Sequence, residues 1–316
     1  MKAAAIIAAA GDNRSDAGFS PLLCLSDCTA LEGMIASFRE AGVEKVVVVI
    51  GHRAEVLERT VSSSAADVIF NPNYATTGML DSVRLGLSYL NGGWDPVFIT
   101  PGDIPLVSPK TLKSMMAVPS AAVRPVYREE IGHPLLIRGQ LREELMICSD
   151  RGGLAAALEE IGDITDLPVD DRGVVMGLDS KEDLKEMRKK LSTDLGGGLL
   201  RPEISVNLLR SETVLSPFSV LFLEMLDKTG SIRTACECVS VSYSKGWRLL
   251  NDMERELGWP LVNRSTGGTG GGGASLTERG RELLEDYRRY REKLIRYANA
   301  AFREVFGKYE DESIEG

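Results

Sequence analysis

Short apolar runs alternating with amphipathic stretches through the first two hundred residues, then three capped helical segments and a glycine tract, predict a two-part chain. The first part is α/β, a Rossmann-like, mostly parallel sheet with helices on both faces. The second is a winged helix-turn-helix that ends in a long C-terminal helix. The expected boundaries are 1–195 for the sheet domain, 196–212 for a linker and 213–316 for the winged helix.

Four apolar runs are the candidate strands of the first part: Ala4 to Ala10, Lys45 to Gly51, Ala66 to Asn71 and Pro96 to Asp103. Between them, TALEGMIASFREAG and DSVRLGLSYLNGG carry helical periodicity. The first run ends in Ala9-Ala10-Gly11, whose small residues let backbone N–H groups approach an anion; a plain tight turn is the other reading. Asp103 follows an apolar strand within PGDIPLVSP, at the sheet edge where ligands bind. Its carboxylate is either a Mg²⁺ ligand or a turn former. Asp179 in GLDSKEDL precedes a helix and is either a metal ligand or a cap.

Ser216-Pro217 opens the second part as an N-cap followed by proline, and FSVLFLEMLDKT runs helically to Gly230. Ser231 caps IRTACEC. After the turn Val239 to Val241, Ser242 caps a third helix reaching about Leu257, with Gly258 beyond. Helix, short helix, turn and longer helix is the order in which the last helix can enter a DNA major groove. Ser242, Ser244, Lys245 and Arg248 lie on its N-terminal portion. PLVNR and ASL flank the glycine tract as candidate hairpin strands, and Thr277 caps the next helix. The tract is either the tip of a wing or a flexible spacer; as a wing it adds Arg264, Ser265 and Thr266 to the DNA-binding candidates. Leu283, Tyr287, Tyr290, Leu294, Tyr297 and Ala301 follow the spacing of a two-helix seam, which points to a homodimer or to packing on the same domain.

A chain of 316 residues with 43% apolar and 26% charged residues has room for two ordinary cores. Net charge is -9, which excludes indiscriminate nucleic-acid binding, but residues 201–316 carry 17 basic against 18 acidic side chains. Double-stranded DNA binding would therefore rest on local placement of cations. The five cysteines lack metal-ligand spacing and read as free cytoplasmic thiols. MKAAAIIAAAG is too short and too quickly followed by a turn for a leader, and no run spans a membrane.

The residues from Asp227 to Gly280 resemble the N-terminal DNA-binding domain of the molybdate-responsive, ModE-type regulators. The TGSI turn, Ser-Tyr ahead of a helix with Trp247, and the RSTGG-x-GGGG-x-x-LT wing carry the resemblance. It implies a two-fold dimer on paired half-sites. Ser244 stands where that family usually has a basic residue, while Lys245 remains. The first part resembles the MobA-like nucleotidyltransferases, most closely the molybdenum cofactor cytidylyltransferases, over about residues 3–190. Matching pieces are AAAG, PLL, N-x-x-Y-x-x-G-M-x-x-S, PGDIPLV, GHPLLI, SDRGG and VDDRGVVMGLDSKEDL.

The resemblance implies transfer between CTP, or another NTP, and the molybdopterin cofactor with release of pyrophosphate. Asp103 and Asp179 would hold Mg²⁺ and serve catalysis. Ala9, Ala10, Gly11, Arg14 and Ser20 would meet the phosphates, and Ser82 the base or ribose. Gly132, His133 and Pro134 would line the pterin side; His133 serves either as a substrate contact or as a structural residue. Three departures stand out. Ser20 replaces the family's phosphate-binding lysine, Ser15 its usual arginine with Arg14 alongside, and Gly177 the first aspartate of Asp-x-Asp-Thr. The two expectations that follow are an active cytidylyltransferase joined to gene control, and a transferase fold that senses ligand for a regulator without catalysis.

Overall fold

The computed structural model describes residues 2–306 apart from 13, 16, 27, 62, 63, 65, 140, 149–152, 163, 195–201, 203 and 265–273. The chain divides into two compact units, Met1–Met187 and Arg188–Gly316.

In the first unit, β1 (Ala4–Ala9) is buried on both faces, and leads through the short pair β2 (Arg14–Ser15) and β3 (Gly18–Phe19) to α1 (Ala30–Glu40). Thr29 and Glu32 form a capping box at the start of α1, satisfying N–H groups that the first turn leaves open. Then follow β4 (Lys45–Ile50), α2 (Ala54–Val61), β5 (Asp67–Phe70), α3 (Met79–Leu90), β6 (Val97–Pro101) and α4 (Pro109–Ala117). The remainder comprises β7 (Ala122–Tyr127), β8 (Glu130–Ile131), β9 (Leu135–Ile137), α5 (Leu141–Ile147), α6 (Gly153–Ile161), β10 (Ile164–Pro168) and α7 (Lys181–Asp194).

The sheet runs β10-β7-β9-β6-β1-β4-β5, with β8 added to β7. Pairs β6-β1, β1-β4, β4-β5 and β10-β7 are parallel, whereas β9 runs antiparallel between β6 and β7. The expected mostly parallel sheet is present, and the four strands read from apolar runs fall where expected. Helices cover both faces. Phe38 of α1 packs on Phe98 of β6, while α3 lies so close to β1 that a Cβ at Gly86 would stand 2.7 Å from Ile6. Each fully buried isoleucine such as Ile6 or Ile7 contributes about 1.5–3 kcal/mol relative to exposure. The chain leaves β1 toward β4 and β5, then crosses back to lay β6 on the other side of β1. The carboxyl ends of β1 and β6 thus form the switch point at which open α/β sheets bind ligands.

The second unit holds β11 (Leu208–Leu209), β12 (Thr213–Leu215), α8 (Pro217–Thr229), α9 (Ile232–Cys238), α10 (Tyr243–Leu257), β13 (Val262–Arg264), β14 (Ala274–Leu276) and α11 (Glu278–Phe306). Ser216, Ser231 and Ser242 cap α8, α9 and α10, and Gly230 and Gly258 end α8 and α10 in left-handed conformation. Thr277 accepts the Gly280 N–H at the head of α11. A winged helix-turn-helix with a long terminal helix results. Residues 206–212, read from sequence as linker, instead contain β11 and the buried Val206, whose carbonyl accepts the Tyr287 hydroxyl at 2.8 Å. That bond also turns Tyr287 into its own unit, and Leu284, not Leu283, is buried beside it. Tyr290 and Tyr297, further along the same stripe, are exposed.

Candidate functional site

At the switch point, the Gly102 N–H donates to Ala8 O at 3.0 Å, and a Cβ at Gly102 would stand 3.0 Å from that of Ala9. Glycine at 102 is what lets the loop carrying Asp103 lie against the end of β1. On the other side the His52 N–H donates to Ala10 O at 2.8 Å. A Cβ at Gly51 would meet that carbonyl at 2.6 Å and Tyr74 at 2.4 Å. Ala9 and Ala10 are buried and Gly11 is exposed, so the backbone past Ala10 forms the accessible lip.

Asp103 and Asp179 come together through main-chain contact: Leu178 N–H donates to Asp103 O at 2.9 Å. Burial raises the Asp103 carboxyl above the ordinary range, and the charge of Asp179 adds to the effect. Asp179 does not cap α7. Ser180 does so, accepting the Asp183 N–H at 3.1 Å, while Asp183 takes the Asp179 N–H at 3.2 Å. Of the two readings of Asp179, the cap is removed and its exposed carboxylate is left beside Asp103. Gly177 makes room for it: a Cβ there would stand 2.7 Å from Asp179 Oδ2. Two neighbouring carboxylates, one of them strained by burial, are the donor set that a hard divalent cation completes with substrate oxygens. Among the described residues no group of three or more potential ligands gathers around a metal position.

Ser20 is buried, and its hydroxyl donates to Leu178 O at 2.7 Å. It ties the first loop to the Asp179 segment and offers no cation. Ser82 is buried too, and its hydroxyl accepts from Asn71 Nδ2 at 3.3 Å. Asn71 also donates to Thr77 and accepts the Asn73 N–H. Ser82 therefore ties α3 to the loop 71–78 through Asn71. The side chain of Arg14 lies outside the described residues.

Gly132, His133 and Pro134 enter β9. His133 N–H donates to Val174 O at 2.8 Å, and a Cβ at Gly132 would stand 2.7 Å from the same oxygen. Burial lowers the His133 pKa, so the ring is neutral at physiological pH, and its Nδ1 is buried without a hydrogen-bond partner. The ring borders a cavity of about 630 Å³ walled by Met79, Ile99, Leu135 and Leu158, with Arg124 at its edge. Sequence reasoning missed Asp171, which organises this whole edge. Its carboxylate accepts from Ser108 N (2.9 Å), Thr111 Oγ1 (2.7 Å) and Gly173 N (2.9 Å), joining the Asp103 loop to the segment carrying Val174 and Leu178. The Asp-x-Gly spacing within VDDRGVV was its one visible signal.

In the second unit, α9 and α10 cross where a Cβ at Gly246 would stand 2.2 Å from Cys236 Sγ. Ser242, Ser244, Lys245 and Arg248 are exposed on the N-terminal half of α10, and the Lys245 ammonium lies over the Phe218 ring. Arg264 is committed elsewhere: it pairs with Glu254 at 2.7 Å and stacks on Trp247. Ser265 and Thr266 lie outside the described residues. Arg233, stacked 5.2 Å from Tyr243 and exposed with it, joins the same face unforeseen.

A switch-point site on a sheet of this order defines the α/β fold of nucleotidyltransferases, here followed by a regulator-like helix-turn-helix. Residues 5–164, just over half the chain, match the MobA-like NTP transferase domain, and the protein belongs to that family. Residues 220–281 match the bacterial regulatory helix-turn-helix protein, lysR family. The chain is similar to transcriptional regulator ModE of Yersinia pestis, 36% identical over 89 residues, covering 28% of this chain and 34% of that protein. It thus spans about a third of that relative's length, and its helix-turn-helix follows the transferase unit. Among solved structures, a nucleotidyl transferase from Methanothermobacter superposes with a TM-score of 0.53 at 22% identity, covering 61% of this chain and 99% of that one. Rv0371c of Mycobacterium tuberculosis, solved as a complex with manganese, gives 0.51 at 20%, covering 60% and 98%. These two likenesses carry the fold.

Proposed function

We propose that the protein transfers the cytidylyl group of CTP to the molybdopterin cofactor and, through its second unit, binds DNA as a regulator. The observation that carries the first half is the Asp103-Asp179 pair at the switch point, and the half-open, mostly apolar cavity bordered by His133 supports it. A terminal phosphate oxygen of the cofactor bonds to the α-phosphorus of CTP, the α-β anhydride bond breaks, and pyrophosphate leaves. Asp103 and Asp179 would hold a divalent cation such as Mg²⁺, which supplies charge neutralisation and alignment of the phosphates when bound. The backbone of Ala10 and Gly11 receives phosphate oxygens. The cavity beside His133 takes the flat pterin against its apolar walls. Incubation with Mg²⁺, CTP and molybdopterin is expected to release pyrophosphate; release no higher than background overturns the transferase reading and leaves a ligand-sensing domain.

The exposed face of α10, the wing and the match to ModE support DNA binding by a dimer seamed along α11 beyond Tyr290. Fluorescence anisotropy against upstream regions of molybdenum-related operons is expected to show one preferred operator; equal binding to unrelated DNA at several salt concentrations rules it out. Lys245→Ala is expected to weaken operator binding and reduce the slope of log affinity against log salt by about 1. An unchanged slope would place Lys245 off the phosphates.

A further inference from the structure

The loop after β1 lies where a triphosphate would bind, yet Ser20 at its far end faces Leu178 and brings no charge. A triphosphate held beside two carboxylates needs cations besides the metal. A neighbouring element places one there. Gly51 and His52 at the end of β4 are fastened to Ala10, as described above, and the next residue is Arg53. Its backbone is in the left-handed region at φ 53°, an uncommon conformation for a residue other than glycine. Its guanidinium lies 5.6 Å from the centroid of the Phe19 ring, and Phe19 is buried and adjoins Ser20. The His52 ring meets the same phenyl edge-on at 5.5 Å. Phe19 thus serves as a platform that holds a cation at the loop whose own residue 20 is neutral.

We propose that Arg53 is a triphosphate-binding residue of this protein, standing in for the charge that Ser20 does not provide. Guanidinium suits the task because its planar fork engages two phosphate oxygens at once, and stacking on Phe19 fixes its plane beforehand. The proposal rests on the reading of the first loop as a nucleotide site. On that reading Asp103 holds the metal at the reacting α-phosphate, and Arg53, reached from the other side of Ala10, is left for the β- and γ-phosphates.

Calorimetric titration of the full chain with CTP and with CMP, in Mg²⁺, separates the possibilities. For Arg53→Gln and Arg53→Ala, CTP affinity is expected to fall about tenfold to a hundredfold while CMP affinity stays within about twofold. Arg53→Lys is expected to fall between. Unchanged CTP affinity overturns the proposal, and so does a parallel loss of CTP and CMP, which would make Arg53 a support for the loop. Melting curves of all three variants confirm that they fold, and Arg53→Gln, which keeps the length of the side chain, serves if Arg53→Ala does not. Wild-type protein that binds neither nucleotide overturns the nucleotide-site reading itself, and the proposal with it.

Discussion

Asp103→Asn is expected to cut pyrophosphate release by about a hundredfold to a thousandfold while making the metal-free protein harder to melt at neutral pH. The two effects have one cause. Burial, with the charge of Asp179 adding to it, holds the Asp103 carboxyl above its ordinary value of 3.8. A carboxyl with a raised native pKa stabilises the fold at pH below the ordinary value, and that contribution is lost as pH climbs through the native pKa. At neutral pH and without a cation, ionised Asp103 is therefore a standing cost, which an uncharged amide of the same shape removes. The melting curves of variant and wild type in chelator should converge as pH falls toward the ordinary carboxylate value. Added Mg²⁺ should raise the melting temperature of wild type and leave Asp103→Asn nearly unmoved. A variant that melts below wild type across the whole range would show that Asp103 is a structural hydrogen-bonding residue and not half of a strained carboxylate pair.

The strands and caps that could be read in advance were those specified by neighbours in sequence. β1, β4, β5 and β6 are apolar runs, and Ser216, Ser231 and Ser242 stand three residues before the N–H groups they satisfy. β9 was not legible as a strand, because three residues inside GHPLLI are too few to show alternation, and β10 has a partly exposed edge pattern. The partners of Ser20 and Ser82 within the fold were not legible for a different reason. A serine hydroxyl near a binding loop looks the same in sequence whether it faces ligand or a carbonyl 158 residues away, as Ser20 does. Arg53 carried no motif, since its place depends on Phe19 and Ala10 in another loop. For α11 the four-and-three spacing was real, but a helix of 29 residues can use one stretch of a stripe at home and offer the rest. Which stretch is which follows from Val206, not from the helix.

The same long-range logic makes Asp171 the residue whose loss should cost the first unit most. Its two oxygens serve three donors, on the Asp103 loop, on α4 and on Gly173. Gly173 is pressed so closely that a Cβ there would stand 1.8 Å from Leu106 O, so the segment has no slack to find other partners. Asp171→Ala leaves the Ser108 and Gly173 N–H groups without acceptors in a buried setting, a loss of about 3 kcal/mol or more. For a unit of this size that lowers the melting temperature by roughly 6–12 °C. Asp171→Asn should do little better, because its NH₂ would confront donors where the second oxygen now accepts. Below the melting range, both variants should also bind Mg²⁺ and CTP more weakly, since Leu178 and Asp103 lose the frame that holds Asp179 beside them. Calorimetry of each variant, with and without ligand, checks both parts. A melting temperature within about 2 °C of wild type would mean that the segment holds its course without the carboxylate, and that the Asp103-Asp179 pair is positioned by the Leu178 N–H alone.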